Sequence, residues 1–425
     1  MIKVAIVGAG LSGLISALIL SKKAGVNVTV FEKGHSYSDR LLDKEANMLH
    51  GIGGAGTLSG GKFCFPPASS GVWKKTGLTV SNFIYFANAY LSELVDKSIV
   101  ETVLMAHYNK ITKTGIMNKK FESKLLLEHE MRHFINTLLA KLETQNVDIR
   151  TNTDFAGFSK TENAVIVIHR CESGELRKEL FDYVIIATGR SSASEINEWF
   201  HDNYITQVSP DLGIRVSIEN NENMIFSHHG QDVKLKANYN NISARTFCVC
   251  SGGDSTLIKY GGQQYYDGHF RDVLSSTVNF GILVRNKTIV GVNNAISFCG
   301  ELNSFIGKGI SLKDTVNYGS KFLTSQSKFG YVFEIINHFV IQMQKDGFLS
   351  SNLDKYQVFM PSVDRLNPVI STNRFFETAM RNIYVVGDAV GISRGFIQSM
   401  WSAHYASENI LWKIASVEYT GRKAA

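Results

Sequence analysis

The N-terminal segment alternates short apolar runs with a stretch of helical spacing. Residues Lys3–Val7 form a strand-like apolar run, and Val26–Phe31 form a second one. Between them, residues 14–25 (LISALILSKKAG) place apolar side chains at helical spacing and end at Gly25. This order predicts a strand, a helix and a strand at the start of an α/β fold.

The pattern continues with a long helix and further strands. Ser123–Glu143 is predicted to be helical from the spacing of Leu125, Leu126, Leu127, Met131, Phe134, Ile135, Leu138, Leu139 and Leu142. Strands are predicted next, at Val147–Arg150, Ala164–Arg170 and Phe181–Thr188. Asn382–Asp388 (NIYVVGD) is typical of another buried strand.

Composition sets the class of protein. The chain has 425 residues, with 36 Gly, 5 Pro and 5 Cys. At ~100–200 residues per domain, this length predicts two to three domains. The composition excludes collagen, a Pro-rich linker protein and a disordered chain. So few cysteines, in an odd number, exclude a disulfide-framed secreted scaffold and favour a reducing compartment.

Charge and hydropathy exclude two classes of partner. The net charge of +6 is spread along the chain without a block of five consecutive Lys or Arg, so nucleic acid is not expected. The positive surplus favours an anionic ligand. Glycines interrupt the apolar N-terminus, and no apolar run reaches roughly 18 residues, so neither a signal peptide nor a membrane span is expected. The sequence predicts a soluble, cytoplasmic protein.

The turn between the first strand and the helix carries the glycine pattern of a dinucleotide site. It is G-x-G-x-x-G at Gly8, Gly10 and Gly13, and Glu32 follows Gly13 by 19 residues. In this pattern Gly8 permits the tight turn, Gly10 admits a pyrophosphate and Gly13 allows close helix–strand packing. The helix N-terminus would face the phosphates, and Glu32 a ribose, which favours FAD or NAD over NADP. A glycine-rich turn in another α/β protein is the alternative.

Two later strands favour FAD. Phe181–Gly189 (FDYVIIATG) ends in Ala-Thr-Gly, and Asn382–Asp388 ends in Gly-Asp before a glycine-rich turn and a helix. These segments resemble the returning strands of FAD-dependent oxidoreductases with the two-dinucleotide-binding-motif fold, including the glutathione-reductase-like group. The resemblance implies that Asp388 contacts the ribityl chain and that the next helix directs its N-terminus at the flavin. A helix N-cap is a second, compatible role for Asp388.

Residues 51–61 (GIGGAGTLSGG) contain six glycines in eleven residues. Such density suits a backbone that passes close to a planar ring with its N–H groups turned inward. A flexible surface loop is the alternative. The flavin contact is the preferred interpretation, because the segment follows the second strand.

Four ordered segments resemble a large, mostly uncharacterised family of FAD-dependent dehydrogenases. They are residues 47–62 (NMLHGIGGAGTLSGGK), 246–253 (TFCVCSGG), 271–284 (RDVLSSTVNFGILV) and 391–400 (GISRGFIQSM). Members carry GxGGAGxxSDGK and FCMCPGG segments, and the resemblance extends from residue 4 to about 410. This chain has Gly60 in place of the family's acid and Ser251 in place of its proline, which leaves the substrate open.

The motifs and the resemblance together predict the residues that contact FAD. They are Gly8, Gly10, Leu11, Ser12, Gly13, Glu32, Lys33, Arg40, Gly53, Gly54, Ala55, Gly56, Thr57, Thr188, Gly189, Gly387, Asp388, Gly395, Phe396 and Ile397.

No catalytic acid or base is identified, and three residues are candidates for catalysis. Arg394 precedes the last helix and could hold an anionic group, or be a surface arginine that caps carbonyls. His404 on that helix could approach the flavin or pack. Arg271 is a candidate for the substrate side, together with Tyr265, Tyr266 and Asn279.

Cys248 and Cys250 lie two apart in a strand-like run and should face the same side. No second Cys pair or matching His pair offers further ligands, so no metal site is predicted. A disulfide between such close neighbours would be strained. Two buried thiols in the substrate-domain sheet are the favoured interpretation, and a role beside the flavin or substrate is the alternative.

The predicted architecture is α/β, with a Rossmann-type FAD-binding domain interleaved with a sheet-rich α+β substrate domain. Residues 1–65, 121–200 and 376–425 are assigned to the FAD-binding domain, and residues 66–120 and 201–375 to the substrate or cap domain.

The leading hypothesis is an FAD-dependent dehydrogenase or reductase that transfers hydride between flavin N5 and a small organic substrate. The sequence shows no second strand–GxGxxG–helix unit, so reduction is expected from the substrate or from an external electron donor. A single-component flavin monooxygenase is the runner-up, although the segment after Gly387-Asp388-Ala389 lacks the histidine and proline of that group. The third hypothesis is a non-catalytic FAD-binding or redox-sensing protein.

Overall fold

The computed structural model describes residues 1–42, 48–91, 108–219, 231–270 and 274–424. Its strands are β1 (Ile2–Val7), β2 (Val26–Phe31), β3 (Gly61–Cys64), β4 (Tyr108–Ile111), β5 (Met117–Leu126), β6 (Asp148–Arg150), β7 (Asp154–Lys160), β8 (Val165–Arg170), β9 (Leu176–Phe181), β10 (Tyr183–Ile186), β11 (Ile205–Thr206), β12 (Asp211–Glu219), β13 (Gln231–Tyr239), β14 (Ile242–Ser251), β15 (Asp254–Tyr260), β16 (Gln263–His269), β17 (Thr277–Asn286), β18 (Ile310–Ser311), β19 (Gln357–Asp364), β20 (Val369–Ile370) and β21 (Ile383–Val385). Its α-helices are α1 (Leu11–Leu20), α2 (Tyr37–Leu42), α3 (Gly56–Ser59), α4 (Ser70–Thr76), α5 (Val80–Tyr90), α6 (Glu128–Thr144), α7 (Ile196–Trp199), α8 (Val292–Leu302), α9 (Leu312–Tyr318), α10 (Gly330–Lys345) and α11 (Phe396–Ala424).

The first two strands of the chain belong to a five-stranded parallel sheet. Its strand order is β21-β10-β1-β2-β6, and every neighbouring pair is parallel. Helix α1 is buried along its whole length and packs against α6 and α11. Strand β2 lies on one side of β1, and β10 lies on the other. The order in which strands are added to the sheet therefore reverses at β1, and a crevice opens at the carboxyl end of this strand.

A large antiparallel sheet forms the second layer. Its order is β18-β19-β12-β17-β14-β13-β5-β3, and β4 pairs with β5. On β13, Val233, Leu235 and Ala237 point into a core that helices α8 and α10 complete. Since side chains alternate along a strand, the even-numbered residues of β13 lie on the opposite face of the sheet. That face is directed toward the site described below.

The predicted α/β fold, with a Rossmann-type unit joined to a sheet-rich part, is confirmed. The predicted helix over Ser123–Glu143 begins later, at Glu128, because Ser123–Leu126 belong to β5 and pair with β3. A short run of leucines does not distinguish a strand from a helix by periodicity, and here the pairing with β3 decides.

The packing differs from the predicted domain boundaries in two places. Strands β3 and β5, part of which was assigned to the FAD-binding domain, lie in the large sheet. Helices α4 and α5, assigned to the substrate part, bury Trp73, Phe83 and Phe86 in the core of the parallel sheet. These rings contact one another or Trp401 of α11, so tertiary packing places the segment. No helix within the described ranges is long and apolar enough to cross a membrane.

Candidate functional site

A cavity of about 790 Å3 lies where the parallel sheet meets the large sheet. Val7, Phe31 and Ala187 line it from the carboxyl ends of β1, β2 and β10. Lys234 of β13 and Arg245 of β14 line it from the large sheet. The cavity therefore joins the crevice in which α/β sheets bind their ligands to the free face of a second sheet.

The three glycines of the first turn have different surroundings. Gly8 has a φ of +100°, and a Cβ there would lie 2.6 Å from the carbonyl oxygen of Ala187. A Cβ on Gly13 would lie 1.9 Å from the carbonyl oxygen of Gly8. Gly10 has a φ of −68°, which any residue adopts, and its Cβ would meet only the Cα of Gly54, at 3.7 Å. Gly8 and Gly13 are thus required by the fold, whereas Gly10 faces the cavity.

Glu32 organises the backbone at the end of β2. Its Oε2 accepts a hydrogen bond from the N–H of Ala9 at 2.7 Å, and its Oε1 accepts from Gly34 and Gly51 at 2.8 Å each. A carboxylate has about four acceptor positions, so these three bonds leave about one for a ligand hydroxyl. The side chain is buried, and the residue lines the cavity.

The glycine-rich segment is a packed wall of the cavity. The N–H of Gly53 donates to the carbonyl oxygen of Ala9 at 2.8 Å. A Cβ on Gly54 would lie 2.9 Å from the Cα of Gly10, and one on Gly56 would lie 2.4 Å from the ring of Phe396. The segment is therefore held against the first turn and against the start of α11, which excludes a flexible surface loop.

Arg40 supports this wall from behind. Its side chain is fully buried, and the guanidinium donates to the carbonyl oxygens of Ile52 at 2.5 Å and Gly54 at 3.1 Å. It also donates to Oγ1 of Thr57 at 3.4 Å. Burial lowers the pKa of Arg40 to about 10. Neither Arg40 nor Thr57 lines the cavity, which corrects their prediction as direct cofactor contacts.

Asn367 ties together the two loops that follow β10 and β21. Its Nδ2 donates to the carbonyl oxygen of Gly189 at 3.1 Å and to that of Asp388 at 2.7 Å. Asp388 lies in a 3-10 turn, Gly387–Val390, whereas α11 begins only at Phe396. The prediction that Asp388 caps this helix is therefore wrong, and its side chain is available to the cavity.

Arg394 connects the loop after β21 to the large sheet. Its guanidinium forms an ion pair with Asp364 at the end of β19, and its Nε lies 3.5 Å from Oδ1 of Asp388. Asp364 also pairs with Arg245, whose Nη2 lies 2.6 Å from Oδ2. Burial opposes the charge of Arg394, but Asp364 and Asp388 outweigh it and raise its pKa. Arg394 is thus an ion-paired residue of the cavity wall, not a surface arginine that caps carbonyls.

His404 does not belong to the site. It is 8% exposed and packs among the rings of Phe86, Tyr90 and Trp401. Burial lowers its pKa to about 4, so the ring is neutral at pH 7. The residue does not line the cavity, and its candidacy for catalysis is wrong because the long helix α11 turns it into the core.

Most of the predicted cofactor residues meet in the cavity. Those that line it are Gly8, Gly10, Leu11, Ser12, Glu32, Lys33, Gly53, Gly54, Ala55, Gly56, Thr188, Gly189, Asp388, Gly395 and Phe396. Those that do not line it, beside Arg40 and Thr57, are Gly13, Gly387 and Ile397. These three lie behind the wall; Gly13 packs on β1, and a Cβ on Gly387 would lie 2.5 Å from Oγ of Ser12.

None of the predicted substrate-side residues that the structure describes lines the cavity. Tyr265, Tyr266 and Asn279 do not line the cavity, and Arg271 lies outside the described residues. Their neighbour Asp267 does line it, and its Oδ2 accepts a hydrogen bond from Arg190 at 3.1 Å. Sequence reasoning missed this pair, although Arg190 directly follows the predicted Ala-Thr-Gly strand end.

Cys248 and Cys250 both line the cavity, with their Sγ atoms 3.8 Å apart. The strand is bulged between Phe247 and Cys250, and Cys248 has a φ of +44°. A hydrogen bond from the Cys250 thiol lowers the pKa of Cys248 to about 7; burial opposes this shift, and Lys62 adds to it. The alternative of thiols beside the ligand site thus fits their position better than burial within the sheet. Across the described part of the chain, no group of His, Cys, Asp and Glu could hold a metal ion.

Comparison with known proteins gives a short sequence match and distant structural likenesses. Residues 6–56 match the model of the NAD(P)-binding Rossmann-like domain family. None of the curated proteins compared with the chain matches it.

The chain is similar in structure to a geranylgeranyl bacteriochlorophyll reductase-like protein from Thermoplasma acidophilum, with 12% identity, 99% of this chain and 80% of that chain covered, and a TM-score of 0.44. It is also similar to p-nitrophenol 4-monooxygenase PnpA from Pseudomonas putida DLL-E4, with 12% identity, 98% and 82% covered, and a TM-score of 0.42. A third structure, CtdE in complex with FAD and substrate 4, has 14% identity, with 100% and 88% covered and a TM-score of 0.36. At such low identities and TM-scores, these likenesses carry no argument about function.

Proposed function

We propose that this chain is an FAD-dependent oxidoreductase that acts on a small organic molecule. The observation that carries the proposal is the shape of one cavity. Its walls combine the glycine turn and Glu32 of the parallel sheet with the free face of the large sheet. A nucleotide cofactor and a substrate would therefore share one chamber, whose volume of about 790 Å3 is within the range of ~300–1,000 Å3 typical of organic ligand sites.

The residues present fit a dinucleotide. Gly10 leaves open the space that a Cβ would fill beside the first turn of α1, and the first N–H groups of a helix have no acceptor within it. Glu32 retains about one acceptor position for a ribose hydroxyl. Gly53, Gly54 and Asp388 line the same cavity and would hold the remainder of the cofactor.

When bound, FAD would supply hydride or electron transfer at its isoalloxazine ring, and the protein would supply binding and orientation. The ion pairs of Arg394 with Asp364 and Asp388 hold the loop after β21 against the large sheet. Asn367 holds the same loop against Gly189. These contacts fix the loop with Asp388 on the cavity wall.

Within this class we favour a dehydrogenase or reductase, reduced by its substrate or by an external electron donor. Support comes from the polar side chains that line the cavity. They include Lys234 and Arg245 of the large sheet, and Arg190 of the turn after β10, which is paired with Asp267 of β16. Such a wall can orient a small polar substrate.

The visible spectrum of the purified protein, recorded anaerobically after reconstitution with FAD, tests the proposal. We expect flavin bands that remain with the protein through gel filtration. Bands that stay oxidised when NADPH is added would indicate a dehydrogenase reduced by its own substrate, and bands that NADPH bleaches without oxygen uptake would indicate a reductase. Failure to retain flavin would overturn the proposal. Rapid bleaching by NADPH followed by oxygen uptake would overturn the dehydrogenase assignment in favour of a monooxygenase.

A further inference from the structure

Lysine side chains converge on the cavity face of the large sheet. Lys234 and Lys236 alternate along β13 with Val233, Leu235 and Ala237, which are buried in the core behind the sheet. Both lysines therefore point to the other face, and both line the cavity.

The register of the sheet places further cations directly beside them. Lys119 of β5 lies opposite Lys234, and Arg245 of β14 lies opposite Lys236. Like charges directly opposite each other on neighbouring strands destabilise a sheet. Lys119, Lys234 and Lys236, which we term the lysine cluster, are thus held together at a cost in folding stability.

The carboxylates around the cluster are engaged by other cations. Asp211 accepts hydrogen bonds from Arg245 and Arg285, and Asp364 pairs with Arg394 and Arg245. The carboxylate of Asp232 pairs with Lys62, whose Nζ lies 2.5 Å from Oδ1.

The cluster itself has no such partner. Within the described residues, none of its three lysines forms an ion pair with a carboxylate. The aromatic ring of Phe121 lies 6.0 Å from Nζ of Lys234 and is its one close cation–π contact there.

The electrostatic surroundings agree with this geometry. Burial lowers the pKa of Lys236, and the charges that lower it further are all cationic, from Arg285, Lys119, Lys287 and Arg245. Burial lowers the pKa of Lys234 to about 8; Arg245 adds to this shift, and Asp232 opposes it without offsetting it. An anion bound between the two lysines would stabilise the charged form of both.

We propose that the lysine cluster binds an anionic group of the substrate, a carboxylate or a phosphate. The inference rests on the proposed function, because it treats the free face of the large sheet as the substrate wall. The cofactor's own phosphates are assigned elsewhere, to the glycine turn at Gly10 on the parallel sheet. The acidic group of the substrate would contact the lysines of β5 and β13, and the rest of the substrate would extend toward Arg394 and Asp388.

Calorimetric titration of the FAD-loaded protein at neutral pH with citrate and with pyrophosphate tests the proposal. The test variant is Lys234→Gln/Lys236→Gln. The matched control is Lys160→Gln/Lys178→Gln, which removes the same charge from exposed positions on β7 and β9, outside the cavity. We expect at least one of the two anions to bind, with affinity roughly tenfold or more weaker in the test variant and unchanged in the control. Preference for citrate would indicate a carboxylate, and preference for pyrophosphate a phosphate.

Three results would overturn the proposal. They are no binding of either anion by the wild-type protein, equal weakening in both variants, or loss of flavin instead of anion from the test variant. The last would make the cluster a cofactor contact. Folding is checked by the thermal midpoint of the ligand-free test variant, which should not fall because like-charge repulsion is removed. A wild-type protein that binds anions but no flavin would contradict the proposed function while leaving the anion site standing.

Discussion

Arg394 and Asp364 form an ion pair between the loop that follows the parallel sheet and the last long strand of the large sheet. Asp364 is 1% exposed. Burial by itself would raise the pKa of this carboxyl group, but Arg394 and Arg245 outweigh burial and hold it below its ordinary value. The charge of Asp364 is therefore maintained by its partners, and the pair fixes one sheet against the other beside the cavity.

Arg394→Gln should consequently destabilise the fold. It leaves a buried carboxylate with Arg245 as its remaining ion-pair partner, and loss of one member of a buried pair costs about 3 kcal/mol. The free energy of unfolding from urea titration measures this. Arg177→Gln, which breaks an exposed pair with Glu175, is the control and should leave stability unchanged. Equal stability of both variants would show that the Arg394 pair contributes nothing.

The glycines of the first turn should separate folding from cofactor binding. Gly13→Ala places a Cβ 1.9 Å from the carbonyl oxygen of Gly8 and should lower the thermal midpoint strongly. Gly10→Ala meets only a 3.7 Å contact, so the fold should persist while FAD affinity falls roughly tenfold or more, since the methyl group occupies the pyrophosphate position.

Fluorescence titration with FAD and a melting curve measure the two effects. Gly309→Ala is the control, because Gly309 is exposed and an added Cβ there meets no atom within 4 Å. Unaltered FAD affinity in Gly10→Ala would contradict the placement of the cofactor at this turn.

Cys248 should react with iodoacetamide at neutral pH. The rate should rise to half its maximum near pH 7, because the pKa of Cys248 is lowered to about 7 by the Cys250 thiol and by Lys62. Peptide mass spectrometry across a pH series gives the profile. Lys62→Gln should move the midpoint of this profile to higher pH, because a nearby positive charge is lost. Cys250→Ser should also move the midpoint, because the thiol that donates to Cys248 is replaced. Buried Cys299, whose pKa burial raises to about 12, is the internal reference and should stay unlabelled.

His404 should make stability depend on pH. Burial lowers its pKa in the folded state to about 4, against an ordinary value of 6.5. Between pH 4 and pH 6.5 the unfolded chain binds more protons at this histidine than the folded chain does. The stability that the neutral ring contributes is therefore fully present above pH 6.5 and is lost as the pH falls toward 4.

Between pH 7 and pH 5 the loss attributable to His404 should be about 2 kcal/mol. Urea unfolding at the two pH values measures it. His404→Phe should lack this part of the loss, whereas exposed His133→Phe should retain it. The nearest carboxylate, Glu408, has Oε1 3.9 Å from Nδ1 of His404, and burial raises the pKa of Glu408. An unchanged pH dependence in His404→Phe would contradict this account.

The parts of the site that could be predicted from the sequence are those whose residues lie close together along the chain. Gly8, Gly10 and Glu32 belong to one local strand–turn–helix–strand unit, whose backbone geometry restricts residue choice at each position. The opposite holds for Asn367, Asp364 and the lysine cluster. Each lies in a segment of ordinary composition, and its partners are remote in the chain.

Errors of prediction have the same origin. Leu125 and Leu126 are compatible with a helix or a strand until β3 pairs with them. Arg40 lies where a cofactor contact is expected, yet its guanidinium turns into the loop whose carbonyl oxygens it satisfies. His404 shares the last helix with Phe396 but lies on the turn that the aromatic rings of α5 and α11 enclose.

The sequence by itself determined the N-terminal α/β unit, the glycine turn, the acid after β2 and the strands that end in Ala-Thr-Gly and Gly-Asp, because short-range sterics and periodicity specify them. Only the tertiary structure decided which strands form the large sheet, which face of that sheet meets the cavity and which cations face each other across it. These depend on strand register, and register is set by pairing between segments more than a hundred residues apart, such as β5 with β13.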